Sequence, residues 1–129
     1  MKRTAILLIL VVILLVGCSD NNQDNHIYTQ NTQEESMEMM KLDDGHIIVD
    51  VRRQDEYDEG HIPGAILIPN ESISDERPKE LTDLDQIILI YCRTGRRSKE
   101  ASQKLADMGY TNVYEFGGIS TWSGEITTE

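Results

Sequence analysis

Apolar residues along the chain are gathered into runs, and one run differs in kind from the rest. Ala5 to Val16 is uninterrupted and follows Lys2 and Arg3. Its twelve residues are too few to cross a bilayer, which takes about 20. They match the apolar centre of a secretory signal peptide. From Ser19 to Gln33 the chain is polar, rich in Asn, Asp and Gln, with only Ile27 and Tyr28 breaking it. Up to about residue 26 it buries too little to order and reads as a tether.

The remaining runs are short and alternate with polar segments of helical spacing. Ile27-Tyr28-Thr29 predicts a first strand, and Thr32-Gln33-Glu34-Glu35 has the spacing of a capping box. That box opens a helix through Met37, Met40 and Leu42, ending near Asp44-Gly45, whose methionines read as core packing. His46 to Val51 is a β-branched run with the look of a buried parallel strand. Asp55 to Glu59 predicts a short turn or helix, and Gly60-His61-Ile62-Pro63-Gly64 a tight connection. Ala65 to Ile68 is the next strand, stopped by Pro69, and Ser74 to Leu81 is read as a helix despite Pro78. Ile87 to Tyr91 is the central strand. Ser98 to Met108 is the helix after it, with Ser98 as N-cap, Ala101, Leu105 and Met108 facing the sheet, and Gly109 closing it. Val113 to Phe116 is the last strand, and Gly117-Gly118 turns the chain toward Trp122. The alternation predicts an α/β fold: one domain, residues 27–129, with a central parallel sheet flanked by helices.

Ligands of such sheets sit at the carboxyl ends of the strands, and Cys92 lies at that end of the central one. It opens the segment Cys92-Arg93-Thr94-Gly95-Arg96-Arg97-Ser98, which holds three of the chain's seven arginines. A strand-end cysteine is ordinarily a small core residue. Clustered guanidinium groups and a following helix N-terminus instead favour a thiolate, so the thiol is expected to ionise below its free value of about 8.5. The same amides and arginines are suited to an oxyanion. Three arginines this close would repel one another unless an anion sat among them.

The chain has 129 residues and a formal charge of −11, with 23 acidic against 12 basic residues. That balance argues against nucleic acid as a partner. His26, His46 and His61 lack metal-ligand spacing, and no metal or cofactor is expected. The second cysteine, Cys18, ends Leu15-Val16-Gly17-Cys18, which resembles the lipobox of bacterial lipoproteins. The resemblance implies a signal peptide over residues 1–17, a lipid-modified (palmitate-bearing) Cys18 at the head of the tether 18–26, and a cell-membrane anchor on the extracytoplasmic face. Cys92 is then the one free thiol of the processed chain, which excludes an internal disulfide and Cys-x-x-Cys redox chemistry.

Three blocks together resemble the rhodanese family. They are Asp50-Val51-Arg52 with Glu56 to Ala65, then Cys92 to Arg97, then Phe116-Gly117-Gly118-Ile119-Ser120-Thr121-Trp122. The resemblance implies a single-domain sulfurtransferase. Cys92 would be its catalytic nucleophile, taking sulfur from a small donor such as thiosulfate, holding it as a persulfide and passing it to a thiol or cyanide. Arg93, Thr94, Gly95, Arg96, Arg97 and Ser98 would bind the substrate, the arginines on the donor's sulfonate and the amides on the persulfide. Asp50 and Arg52 are expected to form an ion pair at the strand end, His61 to be a hydrogen-bonded structural residue, and Trp122 a hydrophobic plug. Two other readings stand beside this one. Phosphatases and arsenate reductases of the same fold place five residues between Cys and Arg, whereas Cys92 and Arg97 have four between them. A non-catalytic binding module would have no use for a reactive thiol.

Overall fold

Five strands run parallel in one sheet, in the spatial order Thr29–Gln30, Asn112–Gly118, Ile87–Cys92, Ile47–Asp50, Ile66–Leu67. They are β1 Thr29–Gln30, β2 Ile47–Asp50, β3 Ile66–Leu67, β4 Ile87–Cys92 and β5 Asn112–Gly118, with helices α1 Gln33–Met40, α2 Gln54–Glu59 and α3 Arg96–Asp107 between them. The computed structural model describes residues 26–129. The signal segment, Cys18 and the tether through residue 25 lie outside the described residues. Among the described residues no helix is long and apolar enough to cross a membrane.

β4 is central, and its period of two sorts its side chains between two cores. Ile88, Ile90 and Cys92 face one cluster with Ala101 and Leu105 of α3, Val49 and Val113. Leu89 and Tyr91 face the other, with Ile48, Ile62 and Phe116, against which Met39 and Met40 of α1 pack. Both faces are covered, which is why β4 reads as a continuous apolar run. Cys92 therefore points to the α3 side as a matter of parity with Ile90.

The capping box forms as spaced: Thr32 Oγ1 accepts from the Glu35 amide at 3.1 Å, and Glu35 Oε2 accepts from the Thr32 amide at 2.8 Å. α1 stops at Met40, short of Asp44, and Leu42 is 58% exposed. The expected core face is thus only partly buried, with Ser36 the one fully buried residue of the helix. α3 ends as expected. The Gly109 amide donates to Ala106 O and the Tyr110 amide to Leu105 O, with Gly109 at φ +100°.

Two expectations are corrected. No helix forms over 74–81; a 3-10 turn at Asn70–Ser72 precedes this stretch, which is itself irregular. Pro78 removes a helical donor, and only Ile73 and Leu81 of this stretch are buried, so no apolar face rewards a helix. α3 begins at Arg96, two residues earlier than Ser98, with Gly95 as N-cap at φ +112°. Ser98 is therefore inside the first turn, its side chain turned inward and not capping the helix.

Candidate active site

Cys92 ends β4 beside the last residue of β5. The ladder slips between Ile90 and Cys92, so that Cys92 pairs with Gly118. A Cβ on Gly118 would overlap the Arg93 carbonyl, so the strand can pass beneath the loop only with glycine there. The Ser120 amide then donates to that carbonyl at 3.1 Å and pins the loop. Three residues, Arg93-Thr94-Gly95, carry the chain from β4 into α3.

The Cys92 side chain lies under this loop, 1% exposed. Its Sγ accepts from the Gly95 amide at 3.0 Å and lies 3.4 Å from Ser98 Oγ. The amides of Arg96, Arg97 and Ser98 open α3 and have no acceptor one turn earlier, so they are free to receive an anion where the loop over the sulfur enters the helix. Gly95 with positive φ makes the turn that aims them.

The arginines do not form the free cationic cluster expected from their spacing. Arg97 makes two hydrogen bonds to Glu56 of α2, at 2.6 and 2.9 Å, and both side chains are largely buried. Those bonds hold the Glu56 carboxyl down at about 2. They also raise Arg97, to which the charge of Cys92 contributes in turn, so the guanidinium lies within electrostatic reach of the sulfur. Arg96 points outward, 76% exposed, and pairs with Glu100 at 3.2 Å. Arg93 has no salt-bridge partner among the described residues. With Arg52, Glu56, Glu59, Ile119 and Ser120 it lines a cavity of about 310 Å³. Intramolecular carboxylates relieve the mutual repulsion of Arg96 and Arg97, so that repulsion alone does not require a bound anion. Thr94 borders a separate polar cavity of about 400 Å³ with Lys99 and Glu115.

Asp50 and Arg52 pair as expected, but in the interior. Arg52 Nη2 donates to Asp50 Oδ2 at 2.7 Å and to Gly60 O at 2.7 Å, with Asp50 0% exposed. Tyr91 completes the network: its hydroxyl donates to Asp50 Oδ2 at 2.7 Å and accepts from the Ile62 amide at 3.0 Å. Burial, and then the Asp50 charge, push the Tyr91 hydroxyl far above its ordinary range. The network ties the ends of β2 and β4 to the turn after α2. His61 belongs to that turn. Its ring stacks on Tyr57 at 3.7 Å, and its two nitrogens face the Tyr57 and Glu129 carbonyls at 2.9 and 2.8 Å. Trp122 packs on Phe116 at 5.6 Å, covering the edge of the second core.

Two residues at the site were not singled out in the sequence. Glu56 holds Arg97 from 41 positions away, a pairing no local spacing reveals. Glu115 is 3% exposed and accepts from Ser98 Oγ at 2.6 Å and from the Gly117 amide at 2.8 Å. Its signal was available: it sits two residues after Val113, at an inward position of an apolar strand, where a carboxylate is uncommon.

Residues 32–125 match the rhodanese-like domain family. The thiosulfate sulfurtransferase PspE of Escherichia coli strain K12 is 35% identical over 71 residues, covering 55% of this chain and 68% of that protein. The thiosulfate sulfurtransferase GlpE of Coxiella burnetii strain RSA 331 is 33% identical over 103 residues, covering 79% of this chain and 94% of that protein. Among solved structures, a rhodanese with anions from E. coli is 30% identical with a TM-score of 0.60, covering 65% of this chain and 99% of that one. A rhodanese-like domain protein from Staphylococcus aureus is 29% identical with a TM-score of 0.68, covering 78% and 98%. The matched residues carry four of the five strands of the sheet, the strand-end cysteine and the loop that opens into α3, and by them the chain belongs to the rhodanese-like domain family.

Proposed function

We propose that this chain is a sulfurtransferase that carries sulfane sulfur as a persulfide on Cys92. The observation that carries the reading is the position of Cys92 Sγ, 3.0 Å from the Gly95 amide and beside the first amides of α3. A sulfur atom added to Sγ would enter a cradle of N–H donors and carry its negative charge there. In the first half-reaction the Cys92 thiolate attacks the outer sulfur of a donor such as thiosulfate. A new S–S bond forms, the donor's S–S bond breaks, and its electron pair leaves with sulfite. In the second, a thiol or cyanide attacks the outer sulfur and Cys92 departs as thiolate. Dividing the transfer into two displacements is the gain of covalent catalysis.

Arg93 is the arginine free to clamp the donor's sulfonate from the cavity it lines, while Arg97, already held by Glu56, supplies fixed positive potential near the sulfur. The named relatives act on thiosulfate, and an E. coli homologue of known structure holds anions. The test is mass spectrometry of the purified protein after exposure to thiosulfate. A gain of one sulfur on Cys92, removed by cyanide with release of thiocyanate, is expected; an unchanged mass would overturn the proposal.

The same reading gives the domain a lipid anchor at Cys18, on the extracytoplasmic face of the cell membrane. It rests on the lipobox-like Leu15-Val16-Gly17-Cys18 after a short apolar run. Cys18→Ala is expected to move the protein out of the membrane fraction with in-vitro activity intact, because the acyl chains that give stable anchoring are lost together. Wild-type protein recovered soluble, without lipid and with residues 1–17 attached, would refute the anchor.

A further inference from the structure

Behind the loop, three buried polar side chains stand in line, each delivered by a different element. Cys92 from β4 is 1% exposed, Ser98 from α3 is 0% and Glu115 from β5 is 3%. Ser98 Oγ lies 3.4 Å from Cys92 Sγ and 2.6 Å from Glu115 Oε1. Glu115 has no salt-bridge partner among the described residues. Its other contacts are the Gly117 amide at 2.8 Å and the neutral side chain of Gln30 at 3.5 Å. A carboxylate buried without a counter-ion is costly to keep. Packing does not explain it, since β5 places it on the same face as Val113, where an apolar residue would serve.

The hydroxyl of Ser98 has a single hydrogen and three oxygen acceptors in reach: Glu115, Gly95 O at 2.9 Å and Gly117 O at 3.4 Å. The carboxylate is the nearest of these and the only charged one, so it takes the hydrogen. Ser98 Oγ then presents a lone pair to the thiol. The line reads Cys92 S–H to Ser98 O–H to Glu115 carboxylate, polarised in one direction.

We propose that Glu115 is a positioning residue that takes up the Cys92 proton through Ser98. The proposal rests on the sulfurtransferase reading for its purpose. As the thiol ionises, its S–H bond breaks and an O–H bond forms on Ser98. The original hydroxyl proton of Ser98 passes to Glu115 Oε1. The net change is thiol plus carboxylate to thiolate plus carboxylic acid, with no proton lost. Ser98 now donates to the thiolate, and Glu115 donates to Ser98. Once sulfur has been accepted the same arrangement favours the return step, because a hydrogen bond from Ser98 awaits Cys92 when it leaves as thiolate.

The charged and titratable groups around this line are few. On the sulfur side stand Arg97 of α3, held by Glu56 of α2, and Arg93 of the loop. On the carboxylate side, Lys99 of α3 borders the same polar cavity. β1 contributes Gln30 and α1 contributes Gln33, both neutral.

The test uses Glu115→Gln, which keeps an acceptor for Ser98 and for the Gly117 amide but takes up no proton, and Ser98→Ala, which breaks the line. The rate of Cys92 alkylation by iodoacetamide is followed by intact mass across pH, with no sulfur donor present. Without the proton acceptor a smaller share of Cys92 is thiolate near neutral pH, so both variants should alkylate about 10-fold more slowly at about pH 7 and converge with wild type at about pH 10. Ser98→Ala carries the test by itself if the glutamine variant does not fold. Alkylation profiles that superimpose on wild type overturn the proposal, even if thiosulfate turnover falls, because the residues would then act in packing or substrate binding. Shifted profiles in a protein that gains no sulfur from thiosulfate would leave the relay standing and refute the sulfurtransferase reading instead.

Discussion

Arg97 in the first turn of α3 grips Glu56 of α2 with both terminal nitrogens, at 2.6 and 2.9 Å. A cation in the first turn of a helix opposes the helix dipole, and an acid brought from another element relieves that conflict. The pair also ties the first turn of α3, which follows the Cys92 loop, to α2.

Breaking this pair should destabilise the domain in a pH-dependent way. The folded Glu56 carboxyl is held at about 2 against an ordinary value of 4.5. A depressed folded value means the stabilisation is fully present above the ordinary value and is lost as pH falls through 4.5 toward about 2. Glu56→Gln should cost about 1.5–3 kcal/mol at neutral pH, with the difference from wild type shrinking as the solution is acidified. Urea unfolding of both proteins between about pH 6 and pH 3 measures it. A difference that stays flat across that range would show that Glu56 acts by packing alone.

Cys92→Ser should abolish sulfur uptake while changing stability by no more than about 1 kcal/mol, the swap being nearly isosteric. The hydroxyl can still accept from the Gly95 amide, so the loop keeps its anchor. Thiocyanate formation above background by the serine variant would remove Cys92 from the nucleophile's role.

The three arginines should separate in kinetics as they separate in space. Arg93→Ala should raise the Michaelis constant for thiosulfate about 10-fold or more, the worth of a hydrogen bond to a charged group. Arg97→Ala should lower the maximal rate and the melting temperature together, since it strands Glu56. Arg96→Ala should change little, because Arg96 is 76% exposed and pairs only with Glu100. Equal losses in all three would contradict this division.

Gly118→Ala tests how the loop is seated. The added Cβ meets the Arg93 carbonyl, which is backbone and has no rotamer to escape by. Overpacking of this kind costs about 1–3 kcal/mol, and moving Arg93 should cost activity as well. An alanine variant with wild-type melting and turnover would mean that the loop accommodates the methyl freely.

What the sequence determined by itself was whatever neighbours in the chain decide. The capping box at Thr32 and Glu35, the glycine end of α3 at Gly109, the buried runs of β2 and β4 and the arrival of Cys92 at a strand's carboxyl end all depend on residues within a turn or a strand of one another. Periodicity and end signals are local, and they were legible. The helix expected over 74–81 failed for the complementary reason: its local spacing had no apolar face for the rest of the domain to bury. Tertiary structure alone decided the partners. Glu56 reaches Arg97 across 41 positions, Tyr91 reaches Asp50 across 41, and Glu115 reaches Ser98 across 17. Tertiary structure also moved the start of α3 to Arg96, taking two arginines out of the loop and into its first turn. A charge in a sequence names no partner. Whether it is satisfied by a carboxylate, by a buried hydroxyl or by a substrate depends on which elements the sheet order brings side by side.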